Sequence, residues 1–328
     1  MSPTRPRFAF LVHALSVPHQ RVLGLRHFTP GLAFGRRDGT SPYDLGEVAR
    51  VGLKNLVDGV VVDVPMTPGQ MLEDQGRALA RMERLVQSIQ RSEPVHAIGL
   101  GSLCAVVAGR GSALADRVDV PITTGGAATA WSLLENTRAV LAVRPGPVAV
   151  LGSRSPVGRA VAALLSADGF RVVVDNKRAA RGLPVEVADS PETAAASCRV
   201  VVGAGPTGGT LAPGALQPET VLVDVAIPAT PAGPVGAGVR VLAGEAVSVP
   251  RTWSRGGWGR VYQVLAGYGP FQVYACLIEP LVMAAQGRKK PFALGRNLDP
   301  DDVVRFGEAA LAYGFAPRLA RGWFAARL

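Results

Sequence analysis

Cysteine is scarce in this chain: three residues, Cys104, Cys198 and Cys276, in 328. An odd, widely spaced set in a long chain excludes a disulfide framework and fits a reducing, cytoplasmic setting. Long apolar runs are also missing, and none approaches the roughly 18 residues that span a bilayer. The basic residues before Phe8–Val12 echo a secretory leader, but that run is short and lacks a small-residue cleavage site, so it reads as a first buried strand. Lysine occurs only at 54, 177, 289 and 290, so the formal net charge of +10 is almost wholly arginine. No basic stripe interleaved with aromatics accompanies it, which argues against nucleic acid and leaves an acidic partner or anionic substrate group. Internal repeats, low-complexity tracts and a metal-ligand set are likewise not evident. With 48% hydrophobic and 18% charged residues, the composition is globular, with length for two cored domains.

The richest stretch is Val148–Leu165, VAVLGSRSPVGRAVAALL. A short apolar strand breaks into Gly152-Ser-Arg-Ser-Pro-Val-Gly158 and then into a small-residue helix. Gly152 permits the sharp turn, Gly158 permits close helix–sheet packing, and the first-turn N–H groups suit a dinucleotide pyrophosphate. Ser155 stands where the usual fingerprint has its middle glycine. An ordinary strand-to-helix turn without ligand is the competing reading. A second strand, Phe170–Val174, ends at Asp175-Asn-Lys-Arg178, 17 residues past Gly158, where a ribose-reading residue belongs. Asp175 suits the hydroxyls of NADH, whereas Lys177 and Arg178 suit the 2′-phosphate of NADPH. Further apolar strands at 199–202 and 221–225 run into Gly203-Ala-Gly205 and Ala226-Ile-Pro-Ala229, loops expected to line a crevice. The candidate cofactor residues are therefore Gly152, Ser153, Arg154, Ser155, Val157, Gly158, Asp175, Lys177, Arg178, Gly203, Ala204 and Gly205.

The fold class expected is α/β: an α/β domain over residues 1–143, a Rossmann-type doubly wound parallel sheet over 144–248, and a helical segment over 249–328. In the first part, 8–12, 59–64 and 96–101 read as strands and 43–56 as helical. Pro68–Arg91 reads as one amphipathic helix whose stripe includes Met71, Leu72, Leu79, Met82 and Leu85. Thr123 or Thr124 can cap a helix running to about Val143. After an irregular stretch at 253–258, helices are expected at 272–286 and 299–313.

Cys276 and Glu279, three apart in Tyr274-Ala-Cys-Leu-Ile-Glu279, share a helix face. A neighbouring carboxylate raises a thiol pKa, so by itself Cys276 reads more readily as a small buried hydrophobe than as a nucleophile. Taken together, Phe10-Leu-Val-His13, Ala97-Ile-Gly-Leu-Gly101, Thr123-Thr-Gly-Gly126, the Gly152–Gly158 turn, Tyr274–Glu279, Gly295-Arg-Asn297 and Tyr313-Gly-Phe315 resemble the aldehyde-forming long-chain acyl-(acyl-carrier-protein) reductases. The resemblance implies that Cys276 is an acylated nucleophile and that an acyl thioester of carrier protein or CoA is reduced by NADPH to an aldehyde. It also implies a downstream enzyme that consumes the aldehyde. On that reading Glu279 carries or orients a proton, Thr124, Gly125 and Gly126 offer N–H groups to an oxyanion, and Cys104 and Cys198 are structural. Two alternatives stay open: a non-catalytic carrier-binding subunit, and an oxidoreductase of the shikimate or amino-acid dehydrogenase kind on a free polar substrate. The latter uses a lysine–aspartate pair in its first domain, and Lys54 is the lysine at suitable depth.

Overall fold

The computed structural model describes residues 5–13, 47–226, 228–256 and 271–321. Its described residues form two compact units. One draws on Met1–Gly125, Pro250–Leu265 and Cys276–Gly295, the other on Gly126–Val249, Ala266–Ala275 and Arg296–Leu328. Helix 126–143 thus groups with the second unit, and residues after 249 are shared between both.

The first unit is built on a six-stranded sheet. Its strands are β1 (Arg7–His13), β2 (Glu47–Leu53), β3 (Val57–Val64), β4 (Ala97–Leu100), β5 (Ile122–Thr123) and β13 (Trp253–Gly256), in the order β13-β2-β3-β1-β4-β5. β3, β1, β4 and β5 run parallel, and β2 and β13 complete an antiparallel edge. The helix expected over 43–56 is corrected where it is described. Residues 47–53 are a strand, because Lys54–Leu56 turn it back onto β3 with Asn55 left-handed at φ 64°. The single helix expected over 68–91 is two, α1 (Pro68–Glu73) and α2 (Gln75–Ser92). Asp74 leaves helical geometry and its carboxylate accepts the Arg77 N–H, which starts the second helix. Leu79, Met82, Leu85, Val86 and Ile89 of α2 are buried as the periodicity predicts, but Leu72 is 46% exposed. Short helices α3 (Leu103–Val107) and α4 (Ser112–Ala115) pack on the same core.

The second unit opens on α5 (Gly126–Val143), much of it buried, with its polar residues satisfied internally: Ser132 and Asn136 both donate to the Gly244 carbonyl. Its main sheet holds β6 (Val148–Leu151), β7 (Val172–Val174), β8 (Glu186–Val187), β9 (Val200–Gly203), β10 (Val221–Asp224), β11 (Arg240–Ala243) and β16 (Ala320–Arg321). Six of these run parallel as β8-β7-β6-β9-β10-β11, which is the doubly wound order 3-2-1-4-5-6, and β16 adds an antiparallel edge. The fully buried valine runs of β6, β7 and β9 are what a sheet covered on both faces requires. Helices α6 (Pro156–Ala167) and α7 (Pro191–Ala196) serve as crossovers. A small antiparallel sheet joins β12 (Ala246–Ser248), β14 (Gln272–Tyr274) and β15 (Ala316–Pro317). The helix expected to begin at Gln272 instead begins at Ala275 as α8 (Ala275–Ala285), because 272–274 pair with β12. The last described helix is α9 (Pro300–Ala312). No helix among the described residues is long and apolar enough to cross a membrane.

Candidate functional site

In the second unit, the turn after β6 is held from three sides. Gly152 has φ +72°, and a Cβ there would lie 2.3 Å from the Gly205 nitrogen, so the turns after β6 and β9 touch backbone to backbone. A Cβ on Gly158 would lie 2.5 Å from the Gly152 carbonyl oxygen. Both glycines are thus required by close approach. Ser155, extended at φ −71°, needs no glycine conformation. Its buried hydroxyl caps α6 by accepting the Gly158 N–H at 2.9 Å and donates to the Ala204 carbonyl at 2.7 Å. The departure from the usual glycine is therefore a helix cap that also ties two crevice turns together.

Asp175, at the end of β7, points into this turn. Its carboxylate accepts the Gly152 N–H at 2.7 Å, the Ser153 N–H at 3.1 Å and the hydroxyl of Ser153, which is fully buried. Three acceptor positions of this carboxylate are thus filled from within the chain. The N–H groups of Arg154 and Val157 have no hydrogen-bond partner among the described residues and remain available at the head of α6. Arg154, Lys177 and Arg178 are exposed and make no ion pair there with a described carboxylate. Gly203, Ala204 and Gly205 line the end of β9, and Gly203 is glycine for an internal reason: a Cβ would lie 2.2 Å from an Asp224 carboxylate oxygen.

The first unit brings a different set together. Thr123, fully buried, donates its hydroxyl to the fully buried Glu279 carboxylate and accepts the Gly125 N–H at 3.3 Å. The Thr123 hydroxyl also lies 3.1 Å from the Ala293 carbonyl, which accepts the Thr124 N–H at 3.1 Å. Gly125, at φ +71°, lies against Cys276: a Cβ there would be 2.4 Å from the Cys276 Cβ and 2.6 Å from its Cα. Gly126 opens α5. Cys276 is partly exposed in the first turn of α8. Glu279, sealed one turn later, reaches the Thr123–Gly125 turn rather than open space. Sequence spacing puts Cys276 and Glu279 together; the tertiary fold adds Thr123, Thr124 and Gly125.

Other candidates separate from this cluster. Lys54 is exposed in the hairpin after β2 and makes no ion pair with a carboxylate among the described residues. His13, buried at the end of β1, accepts the Leu103 N–H at Nε2, 3.4 Å away. Cys104 is fully buried, and burial, with the charge of Asp63 as a smaller cause, holds its thiol far above the ordinary range. Burial also raises the Cys198 thiol. Sequence reasoning passed over Asp224, which is buried at the end of β10. Its signal was a lone carboxylate closing an otherwise apolar strand.

No protein-family profile matches the chain. It is 28% identical over 283 residues to a curated protein of Serratia sp. (strain ATCC 39006) named aminotransferase PigE, a match covering 79% of this chain. The chain spans about a third of that relative, 32% of its length. Among solved structures it resembles D-mandelate dehydrogenase of Rhodotorula graminis in its apo forms, at 15% identity and a TM-score of 0.26, over 68% of this chain and 74% of that one. The expected resemblance to acyl-(acyl-carrier-protein) reductases, and with it reduction of an acyl thioester to an aldehyde, is corrected by the curated match, whose protein is an aminotransferase by name. The physical reason is that the quoted segments are mostly short glycine and threonine turns, each required by local packing, and such turns do not distinguish one Rossmann-type enzyme from another.

Proposed function

We propose that the chain is an oxidoreductase that moves a hydride between a nicotinamide dinucleotide, NADPH in preference to NADH, and a free polar hydroxy or oxo compound. The observation that carries this reading is the second unit's 3-2-1-4-5-6 sheet with its glycine-tight turn closing the first strand. The open N–H groups of Arg154 and Val157 would take the pyrophosphate, beside Gly152 and the Gly203–Gly205 turn. Lys177 and Arg178 would take a 2′-phosphate, while Asp175, engaged by the turn itself, leaves little acceptor capacity for free ribose hydroxyls. When bound, the dinucleotide supplies or accepts the hydride. In the first unit Cys276 is a partly exposed ionisable side chain set against the Thr123–Gly125 turn. Thr123 and Glu279 hold the turn against it.

The aminotransferase relative raises pyridoxal phosphate, which is held as a Schiff base on a lysine. Lys54, Lys177, Lys289 and Lys290 are all the lysines of this chain, and all are exposed, so none offers a sheltered position and the group does not fit. The relative's name supports the reading in another way: amine transfer consumes or yields a carbonyl compound, the species a hydroxyl dehydrogenation exchanges with. Titration of the purified chain with NADPH and NADH, followed by protein fluorescence, tests the proposal. NADPH should bind about tenfold tighter or more, and Lys177→Ala with Arg178→Ala should erase most of that margin. Failure of the wild-type chain to bind either dinucleotide overturns the reading.

A further inference from the structure

The carboxyl edge of the second unit's sheet ends in one row of residues in register: Leu151, Gly203, Asp224 and Ala243. Ligands of open α/β sheets lie beyond that edge. Asp224 is the charged member of the row and is only 6% exposed. Its carboxylate accepts the Ala226 N–H at 3.0 Å, the Thr230 N–H at 2.6 Å and the Thr230 hydroxyl at 2.7 Å, folding the loop after β10 back over its own strand end. That loop then binds the loop after β9. The Gly209 N–H donates to the Ala229 carbonyl at 2.8 Å, and the Thr210 and Leu211 N–H groups both donate to the Thr230 carbonyl, at 3.0 and 3.1 Å. A Cβ on Gly208 would lie 1.9 Å from the Pro228 carbonyl oxygen, so the two backbones touch. The loop after β9 begins at Ala204-Gly205, the residues that receive Ser155 and pack on Gly152. One buried carboxylate therefore anchors the far end of a backbone assembly whose near end is the phosphate turn.

A buried carboxylate is an expensive anchor. Burial outweighs its several donors and pushes the Asp224 carboxyl up to about 6, so an apolar residue would serve plain stability better. We propose that Asp224 and Thr230 are positioning residues for the nicotinamide half of the dinucleotide, holding the paired loops after β9 and β10 in the conformation that half requires. This rests on the reading that the second unit takes a dinucleotide. In the 3-2-1-4-5-6 order β9 and β10 are strands 4 and 5, across the switch point from β7, whose end would read the adenosine ribose.

The test compares the whole dinucleotide with its adenosine half, NADPH against 2′,5′-ADP, in wild type, Thr230→Ser, Thr230→Val and Asp224→Asn. Thermal melting and circular dichroism report folding. Thr230→Ser keeps the hydroxyl and should bind NADPH within about twofold of wild type. Thr230→Val should weaken NADPH roughly tenfold while 2′,5′-ADP binding stays unchanged, and Asp224→Asn should weaken it further. Thr230→Val carries the test if Asp224→Asn fails to fold. Equal losses for NADPH and 2′,5′-ADP, or no loss for either, overturn the proposal while leaving the cofactor reading intact. Wild type that binds neither ligand overturns both.

Discussion

Two strand-to-helix turns, one in each unit, meet the same geometric problem differently. β5 of the first unit passes through Thr123–Gly125 into α5, which groups with the second unit; within the second unit β6 passes through Gly152–Ser155 into α6. Each has one glycine near φ +70°, +71° at Gly125 and +72° at Gly152, and each presses it against another segment. Each also has a buried hydroxyl that accepts a turn N–H, Thr123 for Gly125 and Ser155 for Gly158. The carboxylates differ. Asp175 binds turn N–H groups directly, whereas Glu279 reaches its turn through the Thr123 hydroxyl. The second turn keeps open N–H groups at Arg154 and Val157, and the first leans on the Cys276 side chain. Similar local geometry thus leaves open N–H groups in one unit and a turn packed on a cysteine in the other, and what lies against the glycine decides which.

The glycines offer the sharpest way to break this comparison. Gly152→Ala puts a Cβ against backbone at a left-handed φ and should abolish dinucleotide binding, with a stability loss of about 3 kcal/mol. Gly125→Ala should lose a similar amount in chemical denaturation, because the atoms it meets include the Cys276 Cα. Retention of wild-type stability by both would show that the turns are more yielding than their contacts imply. The hydroxyls come next. Thr123→Val removes the hydroxyl that donates to the buried Glu279 carboxylate and should cost about 2–3 kcal/mol. Ser155→Ala removes a helix cap and should cost about 1 kcal/mol, so the ranking of the two in urea titrations checks the indirect against the direct arrangement.

A smaller effect comes from pH. The Asp224 carboxyl sits at about 6 in the folded chain against an ordinary value of 3.8, so between these values the native state holds a proton that the unfolded chain has released. Its contribution is fully present below about 4 and is lost as pH rises through about 6. Urea midpoints from pH 4 to 7 should carry that downward component, and Asp224→Asn should lack it. Least of all should follow from Arg171→Ala, which breaks the exposed pair with Glu186. Its melting temperature should match wild type, and a clear drop would mean that surface charge matters more to the second unit than its burial pattern suggests.

Much of the second unit was legible in the sequence because its signals are local. Continuous valine runs, Gly152 and Gly158 at helix-entry spacing, and the position of Asp175 are consequences of strand burial and turn geometry over a few residues. The first unit was less legible. Residues 47–53 have apolar spacing that a helix and a strand share, and only pairing with β3 decides between them. The break at Asp74 depended on one carboxylate turning to the Arg77 N–H within an otherwise continuous stripe. Resemblance misled where it rested on short turns whose residues answer to packing rather than to a particular reaction.

The sequence by itself determined the α/β class, the amphipathic face of α2, the glycine-tight turn between β6 and α6 and the pairing of Cys276 with Glu279 on one helix, since each follows from a period or spacing along the chain. Tertiary structure alone decided that Glu279 is sealed against Thr123, that Asp175 turns inward to the Gly152 turn, that Ser155 bridges to Ala204 and that Asp224 gathers two loops at the sheet edge. Those contacts join residues 22 to 156 positions apart, or fold a loop back on its own strand, and no local pattern encodes which buried donor a carboxylate will meet.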